Sequence, residues 1–335
     1  MSSVPGWIYE NSLKQMSPQV SIVITTHNRC DDLRRALRSC EALTGVSFEI
    51  LVYDDASVDG TLEMVKEEFP NTRLLQQQTR QGYIRLRNQG FRESLGEFVI
   101  SIDDDAEFTD PKTLLRIVAL FRDHPQAAAL ALPFVEPNRP TGTMSRVPAG
   151  TSLRNYIGCA HAIRRSIAIE TRGYPEILIH QGEERDLCIR LLDRHHEILF
   201  ADTGPIIHHA SPNRSLSRLN YYGYRNTFLF CWMRFPFPYA LGRIAISTVQ
   251  LLGHKFRWYY LPRQLLFIGA GYFACVKYIA LRNPVSIATY KRYRSLPSHG
   301  PIASSEFISS SATCELPKPA DLGEYLSSSE YRPDQ

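Results

Sequence analysis

The sequence lacks several features that would place it in a well-defined class. Its seven cysteines are odd in number and show no Cys-x-x-Cys spacing, which argues against a zinc site or a disulfide framework. The first residues contain no basic stretch followed by an apolar run, so no secretory leader is expected. The strongest candidate for a membrane span, 265–281, is interrupted by Lys277 and falls short of the ~20 apolar residues required. These absences favour a reducing, cytoplasmic compartment.

Acidic residues are absent from one long stretch, 203–305, which holds 13 Lys and Arg. Before this stretch, residues 1–202 carry 23 Lys and Arg against 28 Asp and Glu. After it, residues 306–335 carry 2 Lys and Arg against 6 Asp and Glu. The Ser-rich end of the chain has the composition of a disordered segment. The expected organisation has four parts: an N-terminal extension over 1–17, a catalytic domain over 18–220, a basic helical segment over 221–300 and a disordered tail over 301–335.

Strand and helix patterns alternate in the first half of the chain. Val20–Thr26, Phe48–Tyr53 and Glu97–Ile102 are apolar runs typical of buried strands, and helical spacing of apolar residues separates them. This alternation predicts an α/β fold with a mostly parallel, Rossmann-like sheet flanked by helices. Further along the chain, Cys159–Ile169 is predicted to be helical, and 133–153 to be a loop lining an acceptor cleft.

Polar clusters fall where three of the predicted strands end. They are Thr25–Arg29, Asp54-Asp55 and Asp103-Asp104-Asp105. Ligands of open α/β sheets bind in the crevice outside the carboxyl ends of the strands. The three clusters therefore predict one shared binding site.

The acidic clusters suit specific chemistry. Asp103 and Asp105 can direct carboxylate oxygens to one divalent cation, for which Mg²⁺ or Mn²⁺ completed by substrate phosphates is the natural choice. The alternative is a solvated acidic turn. Asp54 or Asp55 can accept hydrogen bonds from a base or a ribose, although a turn before Asp59-Gly60 is an equally good interpretation.

Two later motifs add acid–base and ligand groups. Glu183 and Glu184 open a predicted helix in which Asp186 and Arg190 have the i,i+4 spacing of an ordinary ion pair. The pair His208-His209 follows an apolar run, and either imidazole can complete a metal sphere or bind a phosphate. A buried structural histidine is the alternative.

The motifs taken in order carry a resemblance. VSIVITTHNR, EILVYDDASVDGT, GYIRLRNQG, LGEFVISIDDDAEF, GEERDLCIRLL and the His pair together resemble the family 2 glycosyltransferases of GT-A fold, over roughly residues 18–230. Single motifs are loose, whereas the ordered set is specific. The resemblance implies a single-displacement, inverting transfer and no covalent nucleophile on the enzyme.

The resemblance also implies a role for each matching position. Glu184 occupies the position of the catalytic base but is Glu where the family usually has Asp, so the choice between it and Glu183 stays open. The implied metal ligands are Asp103, Asp105 and His208, with His209 as the alternative imidazole. The implied donor-nucleotide residues are Thr25, Asn28, Arg29, Asp54, Asp55, Arg87, Asn88 and Asp104. The implied acceptor-side residues are Gly158, which begins GCAHAIRR, and Asp186.

The predicted activity is a Mn²⁺- or Mg²⁺-dependent transfer of a sugar from a nucleotide-diphosphate sugar to a hydroxyl of a glycan or polyprenyl-linked acceptor. A nucleotidyltransferase is one alternative, but it would show a glycine-rich phosphate loop after the first strand, and THNRCDD has no glycine. A catalytically silent nucleotide-binding scaffold is another. Because a scaffold would not bind a nucleotide in a Mn²⁺-dependent way, binding experiments distinguish it from the glycosyltransferase.

The basic segment 203–305 also holds 19 Phe, Trp and Tyr, and this composition suggests a partner. Basic residues beside Trp, Phe and Leu favour an anionic membrane surface, in keeping with a peripheral location at the inner face of the plasma membrane. An ordinary helical subdomain with solvated Lys and Arg is the alternative. Nucleic acid is not expected, because the aromatics lie among apolar residues rather than in a basic groove.

Overall fold

The computed structural model describes residues 17–137, 147–209, 216–253 and 261–301. The expected N-terminal extension and C-terminal tail therefore lie outside the described residues, apart from Ser17 and Pro301.

A seven-stranded sheet forms the centre of the fold. Its spatial order is β3-β2-β1-β4-β8-β6-β9, and a second sheet has the order β5-β10-β7. In the large sheet only β8 runs antiparallel to its neighbours. This confirms the predicted α/β class with a mostly parallel sheet. The strands are β1 Val20–Thr26, β2 Phe48–Asp54, β3 Arg73–Gln76, β4 Phe98–Asp103, β5 Ala106–Phe108, β6 Ala127–Ala131, β7 Phe134–Val135, β8 His161–Arg164, β9 Glu197–Phe200 and β10 Ile206–His208.

Helices cover both faces of the large sheet because its strands are apolar on both sides. One hydrophobic cluster joins β1, β2 and β4 to α1, α2 and α4, and the other joins the opposite face to α3, α6 and the C-terminal helices. The helices are α1 Cys30–Glu41, α2 Thr61–Glu68, α3 Tyr83–Glu93, α4 Thr113–Asp123, α5 Arg165–Glu170, α6 Glu183–Asp193, α7 Leu216–Arg234, α8 Tyr239–Gly253, α9 Leu261–Lys277 and α10 Ile287–Ser295.

The basic segment is helical, as α7 to α10, and it shares a core with the sheet domain. Phe228 and Leu229 of α7 belong to the same buried cluster as Leu187 and Leu191 of α6. The expected boundary at residue 220 falls inside α7. In the described part of the chain, no helix is both long enough and apolar enough to cross a membrane.

The helix predicted over Cys159–Ile169 is wrong in its first half. His161–Arg164 is strand β8, inserted between β4 and β6 with antiparallel pairing to both, and only Arg165–Glu170 is helical. The reason is tertiary: a short apolar run cannot be assigned to helix or strand by its own periodicity, and two neighbouring strands supply the hydrogen bonds here.

Candidate active site

A cleft of about 660 Å³ opens at the carboxyl ends of β1, β2 and β4. The three strands run parallel and in register, with Thr25 opposite Tyr53 on one side and opposite Asp103 on the other. Their ends therefore meet at one edge of the sheet. The residues of the sequence-predicted site that line this cleft are Thr25, Arg29, Asp55, Arg87, Asp103, Asp104, Asp105, Gly158, Glu183, Glu184 and His208.

Asp55 organises one wall of the cleft. Its carboxylate accepts hydrogen bonds from the backbone N–H groups of Gln81 and Gly82, the latter at 3.1 Å, and Arg80 lies 3.7 Å away. Gly82 has a φ of 87°, a left-handed value that glycine adopts without strain. Asp55 thus fixes the loop that leads into α3 and so shapes the wall.

Three residues predicted to bind the nucleotide make internal contacts instead and do not line the cleft. Asp54 is buried and accepts a hydrogen bond from the Ser57 N–H at 3.0 Å. Asn28 accepts one from the Val58 N–H at 2.8 Å. The Asn88 side chain bonds both the N–H and the carbonyl of Tyr174, each at 2.8 Å. These side chains brace the loops behind the cleft wall.

The carboxylates after β4 converge with an imidazole. His208 Nε2 lies 3.3 Å from Asp105 Oδ1 and 3.6 Å from Asp103 Oδ2, and its Nδ1 lies 2.9 Å from Glu136 Oε1. Burial alone would lower the pKa of His208, but its hydrogen bonds to Asp105, Cys159 and Glu136 outweigh burial and raise the pKa to about 12. The surroundings thus favour positive charge at this point.

These residues fit a divalent cation. Two neighbouring ligands of an octahedral Mg²⁺ stand about 3 Å apart, because each bond is about 2.1 Å long. The distances from His208 Nε2 to Asp105 and Asp103, 3.3 Å and 3.6 Å, are slightly longer than this value. The Cys159 thiol also lies within reach, and its ligand atom, one of Asp103 and one of His208 lie within 4.8 Å of one another. Cys159 and His208 would each lose a proton on binding a metal. Among the possible ligands, the carboxylate oxygens of Asp103 and Asp105 favour Mg²⁺ or Mn²⁺.

Two arginines neutralise the same carboxylates. Arg29 donates from one nitrogen to Asp104 at 2.9 Å and to Asp105 at 2.8 Å. Arg87 is buried; it pairs with Asp103 and lies 3.7 Å from Glu183. Burial raises the pKa of Asp104 to about 7, against the attraction of Arg29. Arg87 therefore connects the carboxylates at the strand end to the glutamates on the other side of the cleft.

The two glutamates at the start of α6 have different surroundings. Glu183 is only 1% exposed, whereas Glu184 is half-buried, and both line the cleft. Glu184 Oε1 accepts a hydrogen bond from the Gly158 N–H at 3.1 Å. Burial raises the pKa of both carboxyls, and the charge of Glu184 adds to the rise at Glu183. The cleft thus holds one accessible and one enclosed carboxyl.

Gly158 leaves room for two charged side chains of the cleft. A Cβ there would stand 2.7 Å from both Arg87 Nη1 and Glu184 Oε1. Its carbonyl accepts hydrogen bonds from Arg87 at 3.2 Å and from His161 Nδ1 at 3.2 Å. The chain continues inward, because the Tyr174 hydroxyl lies 3.0 Å from His161 Nε2. A buried hydrogen-bonded chain therefore holds the peptide that contacts Glu184.

Asp186 lies beneath the cleft and does not line it. Its buried carboxylate accepts hydrogen bonds from Arg190 at 2.8 Å and from Arg234 at 2.7 Å. Burial raises its pKa, but the two guanidinium groups outweigh burial and hold the pKa below the usual range. The i,i+4 ion pair with Arg190 is present, and Arg234 extends it to α7.

The last residue of β10, His208, and the residue that follows it, His209, point in different directions. His208 pairs with Ala106 of β5 and faces the cleft, whereas His209 Nε2 lies 2.7 Å from Glu107 and does not line the cleft. Sequence reasoning missed Glu136, His161 and Arg218. Glu136 lay within the loop predicted at the acceptor cleft, and His161 within the GCAHAIRR motif, so both had a weak signal. Arg218 had none.

Comparison with known proteins agrees with this geometry. Residues 21–174 match the model of the family described as Glycosyl transferase family 2. The uncharacterized glycosyltransferase YibD of Escherichia coli is 33% identical over 92 residues, 27% of this chain and 26% of that protein. A GalNAc(5)-diNAcBac-PP-undecaprenol beta-1,3-glucosyltransferase of Campylobacter jejuni is 34% identical over 94 residues, 27% of this chain and 30% of that protein. The matched stretches thus span under a third of these relatives.

Solved structures share the fold. TarS 1-349 of S. aureus in complex with UDP-GlcNAc superposes with a TM-score of 0.59 at 18% identity, over 78% of this chain and 83% of that one. The mannosyltransferase PcManGT of Pyrobaculum calidifontis, in complex with GDP-Man and Mn²⁺, gives 0.54 at 16% identity, over 86% and 85%. At these identities the likeness establishes the GT-A type of architecture.

Proposed function

Because residues 21–174 form a domain of glycosyl transferase family 2, we propose that this protein transfers a sugar from a nucleotide-diphosphate sugar to an acceptor hydroxyl. One observation carries the proposal. Asp103, Asp105 and His208 face Glu184 across a single cleft at the carboxyl ends of the parallel strands. A site for a diphosphate and a proton acceptor thus lie together.

The proposed donor site has two parts. Thr25 and Asp55 lie where the nucleoside would bind, at the ends of β1 and β2. Asp103, Asp105 and His208 would hold Mn²⁺ or Mg²⁺, which as a Lewis acid stabilises the charge of a departing diphosphate. Neighbouring structures hold UDP-GlcNAc or GDP-Man with Mn²⁺, which supports a nucleotide-sugar donor here.

In the proposed step Glu184 accepts the proton of the acceptor hydroxyl. The hydroxyl oxygen forms a bond to the anomeric carbon, and the bond from that carbon to the diphosphate oxygen breaks. The electron pair leaves with the nucleoside diphosphate, and the anomeric configuration inverts. Glu184 suits this role because its carboxylate is accessible from the cleft and is held by the Gly158 N–H.

The proposed acceptor is a hydroxyl of a glycan or of a polyprenyl-linked sugar. One relative is named as a glucosyltransferase acting on an undecaprenol-linked acceptor, and another as the succinoglycan biosynthesis protein ExoO of Rhizobium meliloti. A lipid-linked acceptor would place this protein at the inner face of the plasma membrane as a peripheral protein.

A thermal-shift screen with UDP, dTDP, GDP and CMP nucleotides and their sugars, with and without Mn²⁺, tests the donor site. A ligand at 100 times its dissociation constant adds about 2.7 kcal/mol to the free energy of unfolding, a readable shift. We expect a metal-dependent shift for one nucleotide and hydrolysis or transfer of its sugar. No shift for any nucleotide would contradict the proposal and favour a catalytically silent scaffold.

The variant Asp105→Ala tests the metal site by an assay of sugar transfer from the donor that the screen identifies. Loss of a carboxylate ligand is expected to reduce metal-dependent transfer below about a tenth of wild type. Asp123→Ala, at the exposed end of α4, is the matched control and should keep full activity. If Asp105→Ala retained more than that fraction, Asp105 would not hold the metal.

A further inference from the structure

Exposed apolar side chains concentrate on the outer face of α9. Leu265, Leu266, Phe273 and Val276 are 54%, 60%, 68% and 71% exposed, and Gly269 lies between them with open space around it. Spacings of three, four and seven residues place them on one side of a helix. These five residues are called the apolar face of α9. Such a continuous exposed surface marks an interaction site more often than an incidental one.

The fold uses the other side of α9. Phe267 stacks against Tyr224 of α7 with 5.7 Å between ring centroids. Gly271 permits close contact, since a Cβ there would stand 2.7 Å from Phe228. The inner side of the helix therefore packs on α7, and the apolar face points away from this contact.

Basic residues border the apolar face. Arg263 precedes it by two residues and Lys277 follows it directly, both exposed. No Asp or Glu occurs anywhere in residues 203–305. Helix α8 lies alongside, with Thr248 3.2 Å from Tyr272, and adds the exposed side chains of Leu241 and Val249. An apolar surface with a cationic border and no acidic neighbour is complementary to anionic lipid headgroups.

We propose that the apolar face of α9 docks onto an anionic lipid bilayer and lies in the plane of the headgroups. The helix has 17 residues and does not meet the length and hydropathy of a spanning helix, so it rests on the bilayer surface. Phe273 and Val276 enter the acyl boundary, while Lys277 contacts headgroup phosphates. This surface gives the proposed function its membrane partner.

A hydrogen bond between α9 and α7 links the docked surface to the cleft. Arg263 at the start of α9 donates a hydrogen bond to Ser217 at the start of α7, and the next residue, Arg218, lines the cleft. A bilayer seated on α9 would therefore lie beside α7, whose first turn lines the cleft. This step rests on the proposed function, because a polyprenyl-linked acceptor would present its sugar from that bilayer.

Vesicle flotation of the full-length protein tests the docking surface without donor or acceptor, so failure of transfer activity does not affect the result. We expect wild type to float with phosphatidylcholine–phosphatidylglycerol vesicles and to bind pure phosphatidylcholine vesicles more weakly. The double variant Phe273→Ser, Val276→Ser is expected to lose at least about tenfold in affinity, because two apolar side chains no longer leave water. Leu115→Ser, an exposed leucine on α4, is the matched control.

A second pair of variants tests the charge. Lys277→Gln is expected to weaken binding to the anionic vesicles by about fivefold, whereas Lys112→Gln on the sheet domain should not change it. If wild type ignored vesicles, or if the double variant floated like wild type, the proposal would be overturned. A dimer that the double variant dissociates, together with no vesicle binding, would instead assign the face to a second copy of this chain.

Discussion

The two adjacent glutamates at the start of α6 form a coupled acid–base pair. Two carboxylates in one low-dielectric site repel, so the first proton is taken up above the usual pKa of glutamate, about 4.3. Burial favours the neutral form most strongly at Glu183, which is 1% exposed. We therefore expect Glu183 to hold the proton and Glu184 to carry the charge that a general base requires. The difference in burial thus supports an assignment that the sequence left open.

Substitution of each glutamate tests this assignment. Glu184→Gln is expected to lower kcat by at least about 10²-fold, the contribution of a general base. Because the pKa of Glu184 is raised, kcat/KM of wild type should fall with decreasing pH at values above the ordinary glutamate range. The measurement is the pH profile of transfer. An acid limb near pH 4 would contradict the raised pKa.

Glu183→Gln keeps the hydrogen-bonding shape of the neutral carboxyl that we expect at this position. It should therefore retain more activity than Glu184→Gln in the same assay. Glu170→Gln, an exposed glutamate at the end of α5, is the neutral control for both. The reverse order of the two variants would make Glu183 the base.

His161 is expected to position the base without touching substrate. Burial lowers its pKa to about 3, so the ring is neutral; Nδ1 then donates to the Gly158 carbonyl and Nε2 accepts from Tyr174. The ring stacks on Tyr156 at 4.2 Å. His161→Phe keeps the stacking and removes both hydrogen bonds, so the Gly158 peptide loses one support.

We expect His161→Phe to lower kcat by about tenfold while the donor KM stays near wild type, because misplacement of the base affects the transition state and not nucleotide binding. Steady-state kinetics on the folded protein provides the measurement. The Tyr156 hydroxyl lies 2.9 Å from that of Tyr174, at the end of the hydrogen-bonded chain farthest from Glu184. Tyr156→Phe removes this hydroxyl alone and should have a much smaller effect. Equal losses in kcat and in nucleotide affinity would instead indicate a general structural defect.

At the scale of elements, Asp186 joins three parts of the chain. Arg190 connects it to the carbonyls of Thr171 and Gly173, each at 2.6 Å, and Arg234 brings in α7. Because both guanidiniums are largely buried, removal of the one carboxylate leaves them without a counter-charge. This arrangement suggests that Asp186 holds α6 to its neighbours rather than contacting an acceptor.

Asp186→Asn is therefore expected to lower the free energy of unfolding by about 3–5 kcal/mol, the usual effect of breaking a buried ion pair. Urea denaturation measures this difference. Asp31→Asn, whose pairing with Arg34 is at the surface, should leave stability unchanged within error. If Asp186→Asn had wild-type stability and a raised acceptor KM, the carboxylate would belong to the acceptor site after all.

Elements with strong local patterns were predictable from the sequence. Val20–Thr26 is a strand as predicted, because a continuous β-branched run is typical of a strand buried on both faces. The buried residues of α1 fall at Leu33, Ala36, Leu37 and Cys40, the helical spacing visible in the sequence. By contrast, β8 pairs with β4, about 60 residues earlier in the chain, and with β6, about 30 residues earlier. Local periodicity holds no information about such distant partners.

At the scale of the whole molecule, the sequence predicted which clusters would meet but not which side chains would face the cleft. Parallel strands bring Asp55, Asp103 and Asp105 to one edge whatever the details of packing. Asp54 is buried and accepts a hydrogen bond from the Ser57 N–H, and Asn88 is held by its hydrogen bonds to Tyr174. Both depend on how the loops fold, which the strand pattern does not show. Resemblance assigns such residues by position, whereas their hydrogen bonds decide what they contact.

After α10, the chain returns to the sheet domain and forms hydrogen bonds with it. His299 Nε2 donates to the Leu132 carbonyl at 2.8 Å, and the Arg154 N–H donates to the Pro297 carbonyl at 2.9 Å. His299 is 4% exposed, and burial lowers its pKa to about 4 against the effect of that hydrogen bond. Charging this ring should therefore loosen the connection between the two parts of the molecule.

The pH dependence of unfolding tests that connection. With a folded-state pKa of about 4 against about 6.5 in the unfolded chain, His299 favours folding above pH 6.5, and this contribution is lost as the pH falls. Buried carboxyls with raised pKa, such as Glu183, change stability in the opposite sense, so the wild-type curve alone is not diagnostic. The difference between wild type and His299→Gln isolates the one group.

We expect the stability deficit of His299→Gln to shrink by about 1.4 kcal/mol between pH 7.5 and pH 5.5, since the unfolded wild type takes up one proton there and the variant takes up none. Urea denaturation at both pH values gives the difference. Phe200→Leu alters a ring that contacts His299 at 6.0 Å without adding or removing a titrating group, so its deficit should be the same at both. A constant deficit for His299→Gln would mean that the ring titrates alike in the folded and unfolded chain, and that the return of the C-terminal segment to the sheet does not enclose it.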